Sequence, residues 1–283
     1  MDIQWYPGHM AKTRRMLEEN VKLVDVVVEV LDARAAQSSR NPDFDTLFAA
    51  KPRIEVLNKA DLADERVSAS WQEWFQKQGV EVIFTNSLTG KGVEKIVPAA
   101  KAAIADRIAR DRERGRNRTI KLMIVGTPNV GKSSIINRLA GRAGAKTGDR
   151  PGVTRGKQWI RLNAGVELLD TPGILWPKFD DPATGAHLAF IGSIKDEIMD
   201  TETLCVQLLE ILHKRYAAAL AARYKLTGAW QELTGYELLA AIGKKRGFVV
   251  SGGEIDTYRA ANVVLDEFRA ARIGRISLEL PPV

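Results

Sequence analysis

The chain has 283 residues, 45% hydrophobic and 27% charged, with a formal net charge of +7, which suits one large globular domain or two ordinary ones. No apolar run approaches the ~20 residues of a membrane span. The opening MDIQWYPGHMAKTRR lacks an apolar signal core, and the lone Cys205 excludes an internal disulfide, so the expectation is a cytoplasmic protein without a membrane partner.

The positive charge is unevenly spread. Residues 1–192 hold 30 Lys/Arg and 23 Asp/Glu, whereas residues 193–283 hold 12 of each. Seven basic residues against Asp149 fall within 138–161, and seven against three within 101–118. Such stretches suit a polyanionic partner, RNA above all, although a solvated basic face reads the same way.

Four short Val/Ile-rich runs come first: VDVVVEVLD (24–32), RIEVLNK (53–59), VEVIFTN (80–86) and TIKLMIVG (119–126). Each is under ten residues and ends in a polar or glycine turn, the pattern of strands buried on both faces of a parallel sheet. ERVSASWQEWFQKQ (65–78), stopped by Gly79, and GVEKIVPAAKAAIADRIARDRER (92–114) read as helices between them. Alternating strand and helix predict a doubly wound α/β domain. VELLDTPG (166–173) adds another strand. From about residue 175 strand-like runs largely disappear, and 204–224 and 256–274 repeat apolar residues three and four apart. The expected division is a nucleotide-binding domain over 1–178 and a smaller helical domain over 179–283, joined by a linker FDDPATG at 179–185.

Gly126-Thr-Pro-Asn-Val-Gly-Lys132-Ser133 fits G-x-x-x-x-G-K-[ST], between a strand and a helix. Backbone N–H groups there can close around phosphate oxygens. Lys132 supplies charge to the outer phosphates, and the Ser133 hydroxyl is a Mg²⁺ ligand. Downstream, Asp170 is placed to hold Mg²⁺ through water, and the Gly173 N–H to meet a γ-phosphate. In the intervening GAKTGDRPGVTRG (144–156), Thr154 rather than Thr147 is the candidate third Mg²⁺ ligand.

Asn58-Lys59-Ala60-Asp61 ends another strand. A carboxylate at Asp61 can accept from both the ring N–H and the amino group of guanine, a donor pair adenine lacks. Asn58 and Lys59 would brace that loop, while backbone N–H groups near Ser87 in TNSLTG (85–90) would face the base oxygen. The nucleotide-contacting set expected from these motifs is Asn58, Lys59, Ala60, Asp61, Asn86, Ser87, Asn129, Val130, Gly131, Lys132, Ser133, Ser134, Thr154 and Gly173, for GTP or GDP with Mg²⁺.

The base-reading motif precedes the phosphate loop, the reverse of an ordinary GTPase. This order resembles the circularly permuted GTPases. IQWYPGHMAKTRR at the start, Asp32-Ala33-Arg34 and the helical tail resemble the ribosome biogenesis GTPase A (RbgA/YlqF) family. The resemblance spans nearly the whole chain and is most specific through residue 175. It implies a circularly permuted P-loop GTPase domain followed by a helical domain. It also implies binding to the large ribosomal subunit, rRNA and ribosomal proteins included; because no arginine can be named as an internal finger, GTP hydrolysis is expected to be slow alone and accelerated by that partner. The protein is expected to act as a monomer.

Permutation places its physical consequence after Gly173: the chain runs from the switch segment into the helical domain. Nucleotide state is then expected to reposition residues 174–283 or their docking on a partner. Where a Ras-like enzyme has a water-orienting glutamine, this chain has Ile174. The resemblance implies His9 in that role if the N-terminal loop folds over the phosphates; by itself a lone histidine reads as structural. Asn129 resembles the asparagine of GTPases that use K⁺ between the phosphates. The competing reading is a GTP-gated RNA-binding module with negligible catalysis, which Ile174 favours and which intact Lys132, Ser133 and Asp170 oppose. Arg259, Arg269, Arg272 and Arg275 are candidate RNA contacts of the tail, or simply a solvated face.

Overall fold

In the computed structural model, residues 7–141, 158–162, 165–176, 179, 181–194 and 200–282 are described. The Val/Ile runs form β1 (Val26–Asp32), β2 (Arg53–Asn58), β3 (Val82–Phe84) and β4 (Ile120–Val125). All seven residues of β1 are buried, as a strand covered on both faces requires. With β5 (Gln158–Leu162) and β6 (Val166–Asp170) they make one sheet of order β3-β2-β1-β4-β6-β5. Neighbours run parallel except β5, which is antiparallel to β6.

Strand β1, first in sequence, sits between β2 and β4. Permuting the chain order therefore leaves the spatial order of a parallel sheet usable. Asp32 and Asn58 pair in register at the ends of β1 and β2. Asp170 closes β6, parallel to β4, so its carboxylate lies at the same edge as the loop leaving β4. Ligand crevices of open parallel sheets lie at that carboxyl edge.

Helices α1 (Pro7–Val21), α2 (Asp43–Leu47), α3 (Glu65–Lys77), α4 (Ile96–Ala102), α5 (Ala105–Glu113) and α6 (Lys132–Leu139) accompany the sheet. The single helix expected over 92–114 is instead a 3₁₀ turn at Val93–Lys95 followed by α4 and α5. Ile104 leaves helical angles (φ −126°) with its side chain buried beneath the sheet, breaking the run.

Beyond the sheet come α7 (Pro182–Phe190), α8 (Thr201–Tyr224), α9 (Gly235–Arg246) and α10 (Thr257–Arg269). The linker expected at 179–185 is mostly the start of α7. Asp181 caps it by accepting from the Ala183 N–H, and Pro182 opens its first turn. Helix α9 carries a reciprocal cap between Thr234 and Glu237. Strand β5 lies within the stretch read as a basic loop, with Arg161 exposed beside Glu167.

Packing passes from one body to the other within a few residues. Ile174 is buried with Leu17, Val27, Phe44 and Leu169 on one face of the sheet. Leu175 and Trp176 belong to the helical core with Leu188, Leu208, Leu239 and Phe268. The ring of Trp176 meets Phe179 edge-on, centroids 5.0 Å apart. Cys205 is buried in the same core, which pushes its thiol pKa far up. No helix of the described residues is long and apolar enough to cross a membrane.

Candidate functional site

The side chain that joins the two motifs is Asn58, fully buried at the end of β2. Its Oδ1 accepts from Thr85 Oγ1 at 3.0 Å and from the Ser87 N–H at 3.1 Å. Its Nδ2 donates to Ser87 Oγ at 3.1 Å and to the Val130 carbonyl at 2.8 Å. One amide thus fastens β2, the 85–90 loop and the phosphate loop together, although residues 58 and 130 are far apart in sequence.

Gly131 allows this approach. A Cβ there would lie 2.2 Å from Asn58 Nδ2, and its φ of +98° favours glycine. Gly173 is equally crowded: a Cβ would lie 2.7 Å from Pro128 Cα and 3.0 Å from Lys132 Nζ. Asp-Thr-Pro-Gly therefore rests directly on the phosphate loop. The Ile174 N–H donates to the Gly126 carbonyl at 3.2 Å, and Thr171 Oγ1 to the Ile124 carbonyl at 2.6 Å.

Lys132 is buried, its Nζ donating to the Gly126 and Thr127 carbonyls at 3.0 and 2.8 Å. Burial pulls its pKa down to about 8, against the opposing charge of Asp170. Burial likewise pushes Asp170 up to about 6, with Lys132 working the other way. Asp170 Oδ1 is buried with no hydrogen-bond partner in the structure. An orphaned, desolvated carboxylate oxygen beside a phosphate loop fits a cation's coordination shell, direct or through water. Ser133 and Ser134 follow in the first turn of α6, both half-buried.

On the base side, Lys59 has φ +58° and its Nζ lies 3.0 Å from Asp32 Oδ2. The Ala60 N–H donates to the Thr85 carbonyl at 3.1 Å. Asp61 is exposed, its carboxylate presented outward from a loop held at both ends. Sequence reasoning assigned backbone N–H groups near Ser87 to the base. The Ser87 N–H instead serves Asn58, and those of Leu88 and Thr89 donate to Asn86 Oδ1 at 2.9 and 3.0 Å. Asn86 and Ser87 therefore shape the loop from inside.

Asn129 has φ +59°, and its Nδ2 donates to the Gly192 carbonyl at 2.7 Å. Ser193 Oγ donates to the Pro128 carbonyl at 2.7 Å. The segment after α7 is thereby bonded to the phosphate loop. His9 lies in the first turn of α1 rather than in a loop, and its side chain falls outside the described residues. Thr154 falls outside them as well.

Arg34 and Asp32 were legible only as part of a resemblance, and the structure gives them physical work. Arg34 Nε and Nη2 reach Asp32 Oδ1 and Oδ2 at 2.9 and 2.8 Å. Although burial alone would raise it, Asp32 is held well below the usual carboxylate range by Arg34 and Lys59. The Arg34 guanidinium also sits 5.3 Å from the Phe268 ring centre and donates to the Arg269 carbonyl. A strand-end Asp-x-Arg beside Asn58 in register was the available signal.

The tail arginines are largely engaged. Arg269 donates to the carbonyls of Phe190 and Ala189, Arg275 to those of Ala63 and Ala60, and Arg259 lies over Phe248. Arg272 is exposed.

Comparison with known proteins agrees with this geometry. Residues 121–223 match the family model "50S ribosome-binding GTPase". The ribosome biogenesis GTPase A of Priestia megaterium is 46% identical, covering 99% of this chain and 98% of its own. The GDP-bound structure of TM YlqF superposes with a TM-score of 0.70 at 31% identity, over 94% of this chain and 99% of that one. The GNP-bound YlqF from T. maritima gives 0.64 at 31% identity, over 95% and 98%. A permuted P-loop GTPase sheet, its two nucleotide motifs joined at Asn58, and full-length similarity agree: this chain belongs to the ribosome biogenesis GTPase A family.

Proposed function

We propose that this chain, a GTP-hydrolysing factor of ribosome assembly, binds the large ribosomal subunit during maturation and that its nucleotide state controls binding and release. The observation that carries this reading is the passage from Gly173, against the phosphate loop, through Ile174 in the sheet core to Leu175 and Trp176 in the helical core. A displacement at the γ-phosphate has no slack in which to dissipate before it reaches the helical body.

Asp61 reads the base, with Lys59 and Ala60 completing its loop and Asn58 fastening it. Asn129, Val130 and Gly131 surround the phosphates by their backbone, and Lys132 turns from its carbonyl partners to the outer phosphates. Ser133 and Asp170 hold Mg²⁺, with Ser134 beside them and Thr154 joining in the triphosphate state. The ion supplies neutralisation of phosphate charge and fixes its geometry. Asn129 is the K⁺ candidate through Oδ1, since Nδ2 is committed to Gly192. His9 is the candidate for orienting water, from the first turn of α1. The basic stretches meet rRNA, and the protein works as a cytoplasmic monomer with residues 1–178 and about 179–283 as its two parts.

The test is co-sedimentation with large ribosomal subunits under a GTP analogue, GDP and no nucleotide, with Lys132→Ala as control, alongside phosphate release with and without subunits. Nucleotide-dependent binding and faster release of phosphate are expected. Equal binding in all three states would refute nucleotide control.

A further inference from the structure

The end of the chain does more than close the helical core. Residues 275–279 run as a strap, beyond the end of α10, across the base-reading loop. Arg275 Nε donates to the Ala63 carbonyl at 2.8 Å and its Nη2 to the Ala60 carbonyl at 3.1 Å. The Ile276 N–H donates to the Leu62 carbonyl at 3.0 Å, and Ser277 Oγ accepts from the Asp64 N–H at 3.1 Å. These four partners, Ala60, Leu62, Ala63 and Asp64, flank Asp61, which is itself exposed, and Arg275 Nη1 also lies 3.4 Å from Glu65 Oε1 just beyond the loop. The strap grips the backbone of the loop and leaves its recognition group to the base.

Its other side is fixed to the helical body. Helix α8 departs from helical angles at Tyr216 (φ −134°, ψ 33°). The Tyr216 hydroxyl accepts from the Ser277 N–H at 3.1 Å and donates to the Ser277 carbonyl at 3.2 Å. Arg215 Nη1 donates to the Leu278 carbonyl at 2.8 Å. Ile276, Ser277 and Leu278 are buried between the two bodies.

We propose that Arg275 and Ser277 are positioning residues for guanine recognition: the C-terminal strap holds the 59–64 loop so that the Asp61 carboxylate is preset for the base. This rests on the reading of Asp61 as the guanine reader. Lys59 already occupies a left-handed backbone conformation, so the loop needs outside support to keep its shape. A loop that is competent only part of the time weakens base-dependent binding by that fraction. It leaves contacts to phosphate and ribose unchanged.

The experiment measures GDP and ADP affinities by competition against a fluorescent GDP for the full chain, Arg275→Ala, Arg275→Lys, Ser277→Ala and Asp61→Ala, with melting curves for each. If the loop spends about a tenth of its time competent without Arg275, GDP binding weakens about tenfold. ADP affinity holds, and Arg275→Lys recovers part of the loss. Equal losses for GDP and ADP, or folded variants with an unchanged ratio, would overturn the proposal while leaving Asp61 as reader. A parent chain without preference for GDP would overturn the base reading and this proposal with it.

Discussion

Replacing Asn58 with alanine should do more damage than the loss of one small polar side chain. The amide is fully buried and makes four hydrogen bonds, to Thr85 Oγ1, the Ser87 N–H, Ser87 Oγ and the Val130 carbonyl. Each net bond is worth about 1 kcal/mol, and each buried partner left unsatisfied costs ~1–3 kcal/mol. The expected loss is therefore about 4 kcal/mol, a large part of the ~5–15 kcal/mol that holds a domain folded. For a body of this size ~1 kcal/mol moves the melting temperature by roughly 2–4 °C, so a drop of about 10 °C is expected. Asn58→Asp should not rescue it. The acceptors for Thr85 and Ser87 would survive, but an anionic oxygen would face the Val130 carbonyl where a donor now lies at 2.8 Å. Scanning calorimetry with and without GDP checks both effects, because the severed joint should also shrink the stabilisation GDP confers. An Asn58→Ala chain melting within about 2 °C of the parent would refute the reasoning, since even the minimal net bond energies exceed that.

Gly173→Ala puts a methyl against the backbone of Pro128 at 2.7 Å; phosphate release should fall at least about tenfold while GDP binding persists, if the γ-phosphate role is right. In the nucleotide-free chain, Asp170 retains a proton up to about 6 that the unfolded chain loses near 3.8. Stability from this group therefore declines as pH rises through that window, and Asp170→Asn should gain on the parent in melting curves between pH 4 and 6, then run level above it. Replacing K⁺ with Na⁺ at constant ionic strength should slow phosphate release; equal rates would remove the K⁺ assignment to Asn129. Trp176→Ala should leave basal hydrolysis measurable yet blunt the nucleotide dependence of co-sedimentation with large subunits.

The sheet was legible because burial on both faces leaves an unambiguous record. Four Val/Ile runs became β1 to β4, each trimmed by one or two residues at one or both ends. What escaped reading was whatever the local pattern does not encode. Strand β5 sits at an edge, with Trp159 and Arg161 turned outward, so its sequence looks like a basic loop. Helix α7 looked like a linker because Asp181 and Pro182 signal a turn and a helix start equally well. The nucleotide motifs were recognisable because phosphate and guanine chemistry constrain residue type at fixed spacing. Asn58 was seen as a brace, but its grip on Val130 depends on which strands become neighbours. Arg275, read as a candidate RNA contact, proved to be bonded to carbonyls more than two hundred residues away, a partnership no spacing rule could disclose.

Those long-range contacts change how the permutation should be understood. Among the described residues, the helical body meets the nucleotide motifs and the strand end beside them at these places. Ser193 and Gly192 hold the phosphate loop through Pro128 and Asn129. Arg34, between Asp32 and Phe268, ties the end of β1 to α10. The strap holds the base loop at Ala60, Leu62 and Ala63. A body attached only at the switch could report the γ-phosphate alone. Attached at both ends of the crevice, under the proposed switch it would also sense whether the two halves of the clasp are drawn together, and linkage requires that any such influence run both ways. On that proposal, a partner that shifts the helical body against the sheet alters nucleotide affinity by the same factor with which nucleotide alters affinity for that partner. If the contacts act as one device, GDP affinity measured with saturating large subunits differs from that of the free chain, and saturating GDP changes subunit affinity by the same factor; a factor of one would refute the coupling.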